Sequence, residues 1–236
     1  MIKRTLCAAA VVLLGLLVFS QSVHAETALK PAIGLTAQWE SKYVSEGRDN
    51  LSEGGIFSFE ATAELQGFTT GAWYASGYSE SYEELNLFIE YGADIRFVSA
   101  YVGYTRLEFL ETDTFDNELG VGLAINNIPH VVPSLDYVYS TESEGAFVEF
   151  SLSSELVLLE ERVTLEPYIL EGFDFGYATP DFDGVNNLQV GINVTIAAIE
   201  RVSLVGSANH SWAHEDVDNE DLGDKSWVSL GLSAEF

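Results

Sequence analysis

Hydrophobic and polar residues alternate with period two along most of this chain. In the last segment Val228, Leu230, Leu232, Ala234 and Phe236 share one face, while Trp227, Ser229, Gly231, Ser233 and Glu235 share the other. Leu188 to Ile196, Phe57 to Leu65 and Leu119 to Ile125 repeat the pattern. Successive side chains of a strand point to opposite sides of its sheet, so such alternation predicts strands with one apolar and one polar face. Twelve segments carry it, at 32–44, 56–66, 68–78, 84–92, 96–107, 118–126, 133–140, 145–157, 163–173, 186–196, 202–213 and 226–236. Each is near the roughly 9–11 residues that a tilted membrane-crossing strand needs. Ten or fourteen strands also fit, because 68–78 and 163–173 carry aromatic or apolar groups on both faces.

The connections alternate too. Gln66-Gly67, Gly92 to Asp94, Asn126 to Val132, Leu159 to Arg162 and Ala197 to Arg201 are mostly short, whereas Ser45 to Gly55, Phe175 to Val185 and His214 to Lys225 are long and polar. An even-stranded barrel with both ends on the side of the short turns has this layout. The long set is acidic, and Arg96, Arg162 and Arg201 sit at the short turns.

Three features favour a membrane barrel over a soluble sandwich. The polar face carries Glu40, Glu60, Glu64, Glu84, Glu90, Asp136, Glu149 and Glu155, with Lys42 beside them, which a water-filled lumen tolerates. Tyr43, Tyr74, Tyr78, Tyr91, Tyr137, Tyr139, Trp212 and Trp227 fall near strand ends, where interfacial girdles place amphipathic rings. The last strand presents Val228, Leu230, Leu232 and terminal Phe236 at every second or fourth position, resembling the signal read by barrel-assembly machinery. The expected fold is all-β: a transmembrane antiparallel up-and-down barrel of about twelve strands in the outer membrane, in contact with its lipid. Lipid offers no partner to a free sheet edge, so the strand ending at Phe236 should pair with the one starting near Ala32.

Composition adds an export signal. Lys3 and Arg4 precede an apolar run from Leu6 to Phe19, and Val23-His24-Ala25 is a small-residue cleavage site. Residues 1–25 are therefore expected to be removed, leaving 26–236 as the barrel. The only cysteine, Cys7, leaves with them, so no disulfide or thiolate metal site is expected. The remaining chain carries eight Lys and Arg against 37 Asp and Glu, 8 − 37 = −29, which excludes nucleic acid as a partner. No cofactor or metal is expected. The loop from Glu215 to Asp221 departs from the spacing of a calcium-binding loop and reads as a solvated acidic loop.

Carboxylate rings select for cations, and a low-dielectric tube focuses their field. The pattern therefore points to passive diffusion of small ions or hydrophilic solutes with a preference for cations. The alternatives are a non-conducting structural or adhesion barrel acting through its acidic loops, and an outer-membrane hydrolase. For hydrolysis the exported chain offers only His130, His210 and His214. His210 and Ser211 are adjacent in a strand and point to opposite faces, so no catalytic residues are assigned.

The segment Ser41-Lys42-Tyr43-Val44-Ser45-Glu46-Gly47-Arg48 resembles the first strand and glycine-bearing loop of the TorF-like porins of Gram-negative bacteria. That family usually has an acidic residue where Lys42 stands and an arginine where Glu46 stands. Gly67-Phe68 to Trp73, Glu84 to Phe88, Pro133 to Tyr139 and Glu144 to Glu149 resemble later strands and hairpins of the same family. The resemblance runs over most of the exported chain. It implies a porin role and supplies no catalytic residues.

Overall fold

The computed structural model describes residues 30–236, and the expected signal segment 1–25 lies outside the described residues. Twelve strands follow one another around a barrel. They are β1 (Ala32–Glu40), β2 (Ile56–Leu65), β3 (Phe68–Gly77), β4 (Glu83–Ile95), β5 (Val98–Phe109) and β6 (Thr114–Ile125), then β7 (Val132–Ser140), β8 (Gly145–Ser153, resumed at Leu156–Leu158), β9 (Val163–Phe175), β10 (Asp183–Ile199), β11 (Val202–Ala213) and β12 (Lys225–Glu235). Each strand pairs antiparallel with its sequence neighbours. β12 then pairs with β1, from Gly34 opposite Glu235 to Glu40 opposite Ser229. The seam runs to the last residue: Phe236 N–H donates to the Ile33 carbonyl at 2.9 Å, and Ile33 N–H to the Phe236 carbonyl at 3.1 Å. Backbone polar groups thus find partners around the whole wall, as a bilayer requires. The strand count and the closing pair are as the alternation predicts.

The outer surface is an exposed apolar band that includes Phe57, Phe59, Ile89, Leu123, Phe150 and Leu204. Val228, Leu230, Leu232 and Phe236 all belong to it. Several boundaries move. β4 continues through Gly92 to Asp94, and its turn falls at Arg96-Phe97, with Arg96 at a φ of 63°. β10 likewise runs on to Ile199. β1 stops at Glu40, so residues 41–44 leave the wall. Pro167 explains the interruption of β8. Its carbonyl accepts from Ser154 N–H at 3.1 Å, so its nitrogen faces the same strand with no hydrogen to give, and the ladder lapses at Ser154-Glu155.

Candidate functional site

The site is the bore and its outer mouth. Register places Glu40, Glu60, Glu64, Glu84, Glu90, Asp136 and Glu149 on the inner face, and Glu149 stands directly opposite Asp136. Glu155 lies at the break in β8. Lys42 has left the wall and pairs with Asp49 at 2.8 Å in the mouth. Further inner-face carboxylates beyond that set include Asp116 and Glu118 on β6 and Glu166 and Asp174 on β9. The cations stand elsewhere. Arg96, Arg162 and Arg201 sit at the turns. Arg106 is on the outside, bonded to Glu108 at 2.5 Å and 4.1 Å over the ring of Phe115. Lys225, at the outer end of β12, holds the Gly223 carbonyl at 3.1 Å.

Two tyrosines lie flat against this wall. Tyr101 on β5 faces Gly122 on β6, and a Cβ at Gly122 would stand 2.0 Å from the ring's Cε1. The ring crosses that gap so that its hydroxyl donates to Asp136 Oδ1 on β7 at 2.9 Å. Tyr168 on β9 covers Gly191 on β10 in the same way. Its hydroxyl meets Gln189 Nε2 at 2.6 Å and the Asn209 amide on β11 at 2.8 Å. Gly122→Val is expected to tip the Tyr101 ring into the bore and break its bond to Asp136. The cost should be about 1–3 kcal/mol, as for overpacking in a core, and loss of near-ultraviolet tyrosine dichroism would report it.

The mouth is not open. The loop from Ser41 to Gly55 folds inward as a small hairpin in which Val44 pairs with Asp49 and Ser45 with Arg48. Its two-residue turn is Glu46-Gly47, with φ of 44° and 72°, the left-handed pair that a tight hairpin demands. Tyr43 roots the loop on one wall. It is buried against Trp73 and Tyr82, with ring centroids 6.1 and 5.5 Å away, and donates to Glu84 Oε2 at 2.7 Å. Gly47 meets the opposite wall, where a Cβ would stand 2.8 Å from the Cβ of Asn187. Glu84 is on β4 and Asn187 on β10, six strands apart in either direction around a ring of twelve. The loop therefore spans the mouth along a diameter. Tyr43 and Trp227, expected in an outer girdle, are both buried on the inner side. Trp227 faces Asn209 across the β11–β12 register and donates to it at 3.2 Å. Strand parity sets Trp227 on this side, and Tyr43 turns inward with the loop that carries it.

Arg48 locks this loop to the far wall. Nε donates to Glu220 Oε2 at 2.9 Å. Nη1 donates to the Glu46 carbonyl at 2.9 Å and to Asn186 Oδ1 at 2.6 Å. Nη2 donates to Thr179 Oγ1 at 2.9 Å and to Asp216 Oδ2 at 2.8 Å. Burial acts against this charge, but Glu220 and Asp216 outweigh it and raise the guanidinium above its ordinary pKa. Two more loops converge here. Near the end of β9, Asp174 accepts the amides of Tyr177, Ala178 and Thr179 in the following loop at 2.6, 2.9 and 3.0 Å, which sets the Thr179 hydroxyl on Arg48. Tyr177 reaches in to Glu118 on β6. The loop after β11 forms α1 (Glu215–Asn219), and Asp216 within it is fully buried. Glu215, Asp218, Glu220 and Asp221 are exposed, as a solvated acidic loop requires; Asp216 is the exception, drawn inward by Arg48.

The histidines find partners that a linear reading misses. His210 lies across the register from Ser226, with Nδ1 and Oγ 2.7 Å apart on the outer face, and edge-on to Trp212 at 4.5 Å. His214 Nδ1 lies 3.0 Å from Glu171 Oε1.

Among solved structures, the chain is similar to the KdgM porin, with a TM-score of 0.57 over 87% of this chain and 99% of that one at 7% identity. This is a porin-type outer-membrane barrel fold. The NanC porin gives a TM-score of 0.56 at 8% identity, covering 86% of this chain and 100% of that one. LpxR from Salmonella typhimurium gives 0.53 at 8% identity, covering 87% and 100%. At such identities the likeness speaks for the fold alone, which porins and other barrels share. No family model matches the chain, and no curated protein matches it in sequence.

Proposed function

We propose that this chain is an outer-membrane channel for passive diffusion of small hydrophilic solutes, that it prefers cations, and that it reaches its membrane through the periplasm. The observation that carries the reading is the sign of the bore. Inner-face carboxylates stand on β1, β2, β4, β6, β7, β8 and β9, while the arginines stand at turns, on the outside or in the mouth lock. Carboxylate rings favour cations in narrow pores. The barrel lies between the roughly eight strands that side chains fill and the 16–18 that leave a wide channel. Tyr101 and Tyr168, held against the wall, leave the axis clear of their rings. The likeness to porins and the TorF-like motifs support the channel part of this reading.

The test is the zero-current potential of the refolded protein in a planar bilayer under a potassium chloride gradient. A cation-selective potential is expected. An anion-selective potential, or no current from a demonstrably folded barrel with its mouth open, would sink the reading.

A further inference from the structure

The mouth lock has an unusual completeness. A guanidinium carries five N–H donors in a rigid planar fork. All five from Arg48 are accepted, by Glu220, the Glu46 carbonyl, Asn186, Thr179 and Asp216, at 2.6 to 2.9 Å. These acceptors come from the plug loop, the loop after β9, β10 and the segment of α1. Three of them are also held by groups other than Arg48: Asn186 donates to the Glu46 carbonyl at 2.8 Å and to Asn187 Oδ1 at 2.6 Å, and Asp174 holds the loop that bears Thr179. The pocket is electrostatically over-supplied. Asp216 and Glu220 bring two carboxylates to one guanidinium, the Asp174 carboxyl lies against Asp216, and Asp216 Oδ1 is buried with no N–H donor among the described residues.

We propose that the outer mouth is a guanidinium receptor, filled in this closed state by the chain's own Arg48, whose occupancy holds the 41–55 plug across the bore. The tethered side chain occupies the place that a free guanidinium-bearing cation takes when Arg48 is withdrawn. Closure and ligand choice are then one interaction. Without a guanidinium, the buried Asp216 and the rim Glu220 lose the cation they share, and the plug loses every tie that Arg48 makes to the far wall. A removed partner in a buried, hydrogen-bonded charge pair is costly because the remaining charge stays unpaired. The barrel wall is closed by its own ladder and does not depend on this contact. A lysine at position 48 would keep the charge but not the planar fork, and should lock poorly.

The proposal rests on the channel reading for its biological meaning, but its test does not use current. Ala75 on β3 is fully buried beside Tyr43 at the root of the plug, so a cysteine there reports whether the plug is seated. Cys7 is the only natural cysteine and lies in the segment expected to be removed. Refolded Ala75→Cys protein, with and without Arg48→Ala, is labelled with a water-soluble thiol reagent, and folding is checked by heat-modifiable migration. Removal of Arg48 should speed labelling by about tenfold or more, the scale on which an unpaired buried charge acts. Millimolar methylguanidinium should return the rate toward that of the Arg48 protein, whereas methylammonium should not. A labelling rate unchanged by Arg48→Ala, or a fast rate insensitive to methylguanidinium, overturns the proposal. If Arg48→Ala does not fold, Glu220→Gln with Thr179→Val weakens the receptor from its rim. That pair should give an intermediate rate, and an unchanged one overturns the proposal equally. A plug that lifts without any current would overturn the channel reading and leave the receptor standing.

Discussion

Lysine in place of Glu60, Glu90 and Glu149 together is expected to reverse the zero-current potential from cation-selective to anion-selective. The three residues stand on the inner face of β2, β4 and β8, opposite Trp73, Gly103 and Asp136, so they sample different sectors of the bore. Each replacement changes the local charge by two units. A unit charge about 4 Å from an ion contributes about 1 kcal/mol in bulk water and about 4 kcal/mol at an effective dielectric constant near 20. A difference of only about 1.4 kcal/mol already shifts relative occupancy tenfold. Glutamine at the same positions should leave a nearly unselective pore. The experiment is best done in the Arg48→Ala background, where the plug is not seated. A lysine variant that conducts and still prefers cations would mean that the carboxylates are only the solvated face of a polar wall.

Leu230→Arg is expected to destabilise the folded barrel by roughly 2–4 kcal/mol, the cost of a cation near the bilayer midplane. Leu230 lies at the middle of β12 and is 65% exposed on the apolar outer face. Next to it, the Gly206 Cα on β11 and Trp39 on β1 share the register. An arginine here cannot turn inward without breaking the alternation of the whole strand, so it must stretch toward an interface. Ser153→Arg, on the inner face of β8, should cost much less because its charge meets water. Urea titration of the folded form in lipid vesicles, scored by heat-modifiable migration, compares the two. Equal costs at both positions would argue against a lipid-facing outer wall.

The barrel was largely legible in the chain because its cause is local. Parity along each strand sorts side chains between lipid and lumen, and the Leu188–Ile196 and Val228–Phe236 segments show this without reference to anything distant. Turn positions were less legible, since Gly92 and Ala197 read as breaks although both strands run on past them. The plug was hidden for a different reason. Ser41 to Gly55 is polar and rich in turn formers, which suits an exposed loop equally well. What folds it inward is a set of partners far away in sequence: Glu84 for Tyr43, and Asn186, Thr179, Asp216 and Glu220 for Arg48. Trp227 is instructive, because its parity already set it opposite Val228 on the lumen side, and only its place near a strand end suggested a girdle. The His210–Ser226 pair needed the β11–β12 register, which periodicity alone does not supply.

Tyr101 over Gly122 and Tyr168 over Gly191 are single structural units made of two residues each. The ring has room only because the facing position has no side chain, and the bare backbone is shielded only because the ring covers it. Neither half is useful alone, so selection should act on the pair. Across relatives of this chain, positions 101 and 122 should change in step, as should 168 and 191. An aromatic should accompany glycine, and a small or aliphatic residue should accompany anything larger. The bore would thus leave its imprint as two pairs of correlated columns, four strands apart in the wall.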